Sequence, residues 1–120
     1  MTPRESAALE KDFDAAFMRL LQETHANLKD SMGRPWPIVY LKRGRDNNPH
    51  GALGYVTQKL TQPVSEGDSF NAPIAQGRPD LTFEYLALDP HWLPLFTDAA
   101  LDEARRRLRS TWAGAGRRLA

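Results

Sequence analysis

Apolar side chains recur every three or four positions through the first quarter of the chain. Leu9, Phe13, Phe17, Leu20, Leu21 and Leu28, with Thr24 among them, fall on one face of a helical projection, and Asp12, Asp14, Arg19, Gln22 and Glu23 lie mostly opposite. Thr2, Pro3 and Glu5 hold the N-cap, N1 and N3 positions of a capping box. Gly33, Pro35 and Pro37 supply stop signals. The pattern predicts a helix over residues 3–32.

The period then changes. PIVYLKR (37–43) is rich in β-branched and aromatic residues and reads as a short strand. ALGYVTQKL (52–60) is ambiguous. Leu53, Val56 and Leu60 share a helical face behind a possible Asn48-Pro49 cap, but Gly51 and Gly54 would each weaken a helix by about 1 kcal/mol relative to alanine, which favours a strand. Residues 62–80 are dense in Pro, Gly, Ser and Asn and read as a long loop with at most a short strand. In LTFEYLAL (81–88), Leu81, Phe83, Tyr85 and Ala87 alternate with Thr82, Glu84, Leu86 and Leu88, the period of a strand. Asp89-Pro90 caps a short helical turn through HWLPLF, which Pro94 interrupts. Thr97 caps a last helix over 98–112, with Leu101, Ala104, Leu108 and Trp112 as its stripe. These elements predict an α+β fold: a long N-terminal helix, a small antiparallel sheet of about three strands and a C-terminal helix. Residues 1–112 would form one domain, and 113–120 a flexible basic tail.

Length agrees with one domain, since 120 residues can bury a single core without staples. There is no cysteine, which excludes disulfides, thiolate metal sites and a cysteine nucleophile. The N-terminal MTPRESAALEKDFD lacks the apolar stretch of a signal peptide, and no apolar run approaches a membrane span, so a soluble cytoplasmic protein is expected.

The formal net charge is only +1, but charge is segregated along the chain. Residues 1–33 carry −2, 34–62 carry +4, 63–100 carry −5 and 101–120 carry +4. The basic blocks supply a candidate nucleic-acid surface: Lys42, Arg43, Arg45, Arg105, Arg109, Arg117 and Arg118. Against it, Asp102 and Glu103 precede Arg106 and Arg107 by four residues, the favourable order for ion pairs on a solvated helix back. Arg105 and Arg109 flank the apolar stripe, where their stems would cover the core edge.

GRDNNPHG (44–51) has no large apolar side chain. Asp46, Asn48 and His50, completed by Glu84 or Asp68, would suit a divalent metal that activates water in a hydrolase or nuclease. The same residues build turns, because Asp and Asn side chains bond their own backbone and proline fixes φ, and the turn reading is preferred. His25 reads as a helix-boundary residue and His91 as a surface residue near a helix start. Trp36, between Pro35 and Pro37, reads as a plug at the core edge, and Trp92 and Trp112 as core. No phosphate loop, paired-histidine helix motif, nucleophile elbow or calcium loop occurs, and no serine stands out as a nucleophile.

Neither a catalytic set, a metal site nor a cofactor is assigned. The favoured reading is a non-enzymatic accessory or regulatory module that binds another macromolecule, a protein before a nucleic acid. The broad aromatic stripe of the first helix offers more apolar surface than three strands cover, which would favour a homodimer or a complex.

Overall fold

The structure, a computed structural model, describes residues 2–28, 36–61 and 68–114, with 68–71 and 110–114 described by backbone alone. Every regular element among them is helical: α1 (Pro3–Leu28), α2 (Ile38–Asn47), α3 (Gly51–Thr61), α4 (Asp68–Ala75), α5 (Phe83–Ala87) and α6 (Asp98–Gly114), with 3₁₀ turns at Pro79–Leu81 and Leu93–Leu95. The expected antiparallel sheet does not form among the described residues. The α+β assignment is therefore corrected to a small all-helical domain.

The two ends of the sequence read correctly. Glu5 N–H donates to Thr2 Oγ1 at 3.2 Å, so Thr2 caps α1, while Glu5 Oε1 accepts from the Thr2 hydroxyl at 3.0 Å rather than from the Thr2 N–H of a full capping box. Phe13, Phe17, Leu20, Leu21, Thr24 and Leu28 are the buried residues of α1. Ala100 N–H donates to Thr97 Oγ1 at 3.2 Å, which caps α6 as expected. Gly33 and Pro35, the expected stop of α1, lie outside the described residues, as do Arg117 and Arg118.

The three expected strands are helices for reasons of packing. In 37–43 the β-branched pair Ile38-Val39 and Tyr40 favour a strand locally, yet the helix buries Leu41 and half-buries Ile38 one turn earlier, leaving Val39 and Tyr40 outside. Strand propensity is a preference for a half-buried pleated surface, and it yields where no partner strand exists. In α3 the buried residues are Ala52, Tyr55, Val56 and Leu60, a helical spacing. The glycines that weighed against this helix prove to be contact points. A Cβ on Gly54 would stand 2.0 Å from Asn48 Oδ1, and one on Gly44 would stand 2.3 Å from the Tyr55 ring. Gly51, at φ +63°, supplies the left-handed backbone that turns the chain into α3. The close α2–α3 hairpin thus requires glycine at all three places.

The 81–88 segment also folds as a helix. The Thr82 hydroxyl accepts from Tyr85 N–H at 3.1 Å and caps α5, whose Phe83, Glu84 and Ala87 are buried. Within 62–80, read from sequence as a loop, the described residues form α4, closed by Gly77 at φ +71°. Arg78 N–H reaches the Pro73 carbonyl at 2.8 Å and Gly77 N–H that of Ile74 at 3.0 Å, the paired bonds of a Schellman cap.

α3 lies at the centre, packed on α1, α2, α5 and α6. Phe13 sets its edge against Trp92 and Phe96, each at 5.4 Å between centroids, and Phe17 meets Phe83 at 5.2 Å and Tyr55 at 6.1 Å. Trp36 is 2% exposed and belongs to this core, at a helix–helix junction rather than the expected helix–strand one. Trp92 joins it, and the Trp112 side chain lies outside the described set.

Candidate functional site

Three polar or mixed clusters deserve comparison: the GRDNNPHG turn, the buried charges of α5 and α6, and the surface where α5 and α6 meet.

The turn is built for α3. Asp14 on α1 accepts from Arg45 Nε at 3.0 Å and from Ala52 N–H at 3.0 Å through the same Oδ1, while Arg45 Nη2 pairs with Asp14 Oδ2. The carboxylate therefore caps the start of α3 from a distant helix. The Arg45 guanidinium holds the Asp14 carboxyl below the ordinary aspartate range, against the opposing effect of burial. Arg45 Nη1 also pairs with Asp46 at 2.8 Å, and Asn48 Oδ1 accepts from His50 N–H at 2.9 Å as an Asx turn. Asp46 and Asn48 line one cavity of about 410 Å³ together with Glu10, Lys11, Asp14 and Arg45. Glu84 is not near it. It sits beside the last turn of α3, an 11-residue helix about 16 Å long. Asp68 lies among the side chains not described. Among the described residues no group of three or more His, Cys, Asp or Glu converges on a point where a metal would sit.

Glu84 instead meets Arg107, and both side chains are 5% exposed. Arg107 Nη1 donates to Glu84 Oε2 at 2.9 Å and to the Lys59 carbonyl at 3.0 Å, Nη2 to the Leu60 carbonyl at 3.4 Å, and Nε to Glu103 Oε2 at 2.7 Å. The guanidinium thus serves carbonyls that the end of α3 leaves open, where positive charge also complements the helix dipole. Burial pushes the Glu84 carboxyl above the usual range, with Arg107 working against it. Glu103, held by Arg106 and Arg107, drops to about 2. The Glu103–Arg107 pair expected from sequence forms, but on a buried side of α6 rather than a solvated back. Arg106 joins Glu103 at 2.5 Å, and Asp102 takes Arg105 at 3.1 Å in place of Arg106.

The candidate nucleic-acid residues divide between helices. Lys42, Arg43 and Arg45 are on α2, with Arg45 committed to Asp14 and Asp46. Arg105 and Arg109 are on α6, where α2 and α6 each pack on α3. Arg43 lies next to Val39 and Tyr40, which are 59% and 66% exposed. Of the other histidines, His25 is half-buried on α1, and His91 is exposed with its ring edge-on to Trp92 at 4.3 Å.

Where α5 and α6 meet, two adjoining cavities of about 280 and 300 Å³ share Leu88 and Leu108 as an apolar floor. Arg105 and Arg109 border the first, while Tyr85, 47% exposed, borders the second with Asp89 and Pro90. Sequence patterning brings only the two arginines forward. Tyr85 and Leu88 read as opposite faces of a strand, and the signal that would have placed them together is Thr82 as a helix cap. Capped there, α5 turns Phe83 and Ala87 inward and leaves Tyr85 outside.

Comparison with family models, with curated proteins and with solved structures finds no match, so the functional reading rests on these residues. Among the described residues no helix is long and apolar enough to cross a membrane.

Proposed function

We propose that this chain is a non-enzymatic, cytoplasmic accessory module that works by binding another protein, with the groove between α5 and α6 as its contact face. One observation carries the reading: two adjoining cavities form a continuous apolar floor at Leu88 and Leu108, with tyrosine and arginine on the rim. Tyrosine and arginine are the residue types, with tryptophan, that most often anchor protein interfaces, because each offers a large apolar body with a polar end. The chemistry-bearing side chains elsewhere have structural work, in that Asp14, Arg45 and Asn48 shape the entry to α3 and Arg107 and Glu84 its exit.

The test is photo-crosslinking in living cells with p-benzoylphenylalanine placed at position 85, and separately at Gln58, an exposed position on α3. The proposal expects a discrete protein adduct from position 85 and none of the same mass from position 58. No adduct from position 85, or the same adducts from both, would reject the groove as the contact face.

A second reading, nucleic-acid binding, draws on the exposed Tyr40 and on Arg43, one turn on along the same face of α2, since an aromatic platform with an adjacent cation suits single strands. It expects labelled oligonucleotides to bind with an affinity that falls steeply as salt rises, and to lose it on Tyr40→Ala and Arg43→Glu.

A further inference from the structure

The charges around the groove are arranged unequally. Arg105 and Arg109 stand four residues apart on α6, one helical turn and about 6 Å along its axis. Asp89 borders the adjoining cavity with Tyr85 and Pro90, away from the arginines. Asp102 takes part of the charge of Arg105 at 3.1 Å, while Arg109 is exposed and has no carboxylate within ion-pair distance among the described side chains. The groove therefore has two arginines along α6, Arg105 already paired with Asp102 and Arg109 without a described carboxylate, and Asp89 at the α5 end.

From this arrangement we infer that the groove takes an acidic amphipathic helix of a partner protein, laid along α6. Two carboxylates one turn apart on that helix face Arg105 and Arg109, and its apolar side chains seat on Tyr85, Leu88 and Leu108. The inference rests on the protein-binding reading above and adds the chemistry of the partner. A helix fits better than an added β-strand, because strand addition needs a sheet edge to satisfy its backbone and the described residues offer none. A helix brings its backbone already paired, and its own repeat places side chains at the spacing of Arg105 and Arg109. The chain's own C-terminal stretch is a poor occupant on charge, since Arg117 and Arg118 would bring like charge to the arginines.

The experiment is selection from a displayed library of helical peptides of about 18 residues, with leucines fixed at i, i+3, i+4 and i+7 and the flanking positions varied among Glu, Gln and Lys. Selection is run on the wild type, on Arg105→Glu/Arg109→Glu and on Leu88→Asp, with folding of each checked by circular dichroism. The inference expects wild-type clones enriched in Glu at positions four apart, with affinity falling roughly tenfold or more on the double charge reversal. The reversed protein should select Lys instead, and Leu88→Asp should lose both sets.

Clones rich in Gln or Lys on the wild type would overturn the acidic partner while leaving a protein-binding groove. No clones dependent on Leu88 would overturn the protein-binding reading itself. Light scattering supplies the remaining arm: a dimer that Tyr85→Asp dissociates would give the groove to a second copy and overturn the separate partner.

Discussion

Replacing Arg107 with methionine isolates what the buried ion pair contributes. Methionine keeps much of the length of the side chain but removes the guanidinium that meets Glu84 at 2.9 Å and the Lys59 and Leu60 carbonyls at 3.0 and 3.4 Å. Glu84 would then be an anion 5% exposed with its cation gone. Removing one partner of a buried pair costs about 3–5 kcal/mol, chiefly the penalty of the stranded charge. Against a total stability of about 5–15 kcal/mol this is a large loss, and with a urea m-value near 2 kcal/mol/M it lowers the unfolding midpoint by about 2 M.

Two features separate this mechanism from simple loss of packing. The double variant Glu84→Met/Arg107→Met should regain the part of the loss due to the stranded Glu84 charge, leaving a residual from the Lys59 and Leu60 carbonyls and Glu103, which still lack the guanidinium. The gap between Arg107→Met and wild type should also depend on pH. Burial raises the Glu84 pKa, and without Arg107 to oppose it the folded-state value rises further. A carboxyl with a raised folded pKa favours folding below its unfolded value and loses that advantage as pH climbs through the folded value. The gap is therefore widest at alkaline pH and narrows as pH falls toward 5. Urea titrations followed by circular dichroism at pH 5, 7 and 9 measure it. A gap independent of pH, or a double variant no more stable than the single, would refute the stranded-charge account.

Glu103 behaves in the opposite sense: its carboxyl is depressed to about 2 from 4.5, so the stability it adds is present above pH 4.5 and is lost as pH falls toward 2. Glu103→Gln should flatten that part of the acid-unfolding curve. Gly44→Ala would gain about 1 kcal/mol of helix propensity but put a methyl 2.3 Å from the Tyr55 ring; since overpacking costs about 1–3 kcal/mol, the net should be a loss of up to about 2 kcal/mol in urea unfolding. Phe13→Ala empties a site that is 0% exposed between Trp92 and Phe96, so a loss of about 3–5 kcal/mol is expected, with a change in near-ultraviolet circular dichroism as those rings lose their partner.

The long periodic segments were legible in the sequence because their caps and stripes agree. Thr2 caps a helix whose buried face is the predicted one, and Thr97 does the same for α6. The middle was misread where local preference and tertiary context disagree. PIVYL has strand propensity, but its Leu41 finds a helical core. LTFEYLAL alternates by chance, and Thr82 acts as a cap instead of a strand residue. Gly44 and Gly54 look like helix breakers until their neighbours, Tyr55 and Asn48, are in place. Only part of GRDNNPHG is the turn it reads as: Asn48 Oδ1 accepts from His50 N–H, a local Asx bond, while residues 44–47 are the last turn of α2. The partnership of Asp14 with Arg45, or of Glu84 with Arg107, joins residues 31 and 23 positions apart and leaves no periodic trace. The groove was hidden for the same reason, since it needs α5 to be a helix before Tyr85 and Leu88 can face α6.

The two long-range caps of α3 bear on the order in which this chain can acquire its shape. The start of α3 is finished by a side chain 38 residues upstream, and its end by one 47 residues downstream. A central helix sealed from both outer helices cannot mature while either is missing. Neither half of the protein, cut at the 62–67 segment, contains everything α3 needs. Unfolding should then be a single concerted event, and loss of α6 at the ribosome or by proteolysis should loosen the middle of the molecule as well as its last helix.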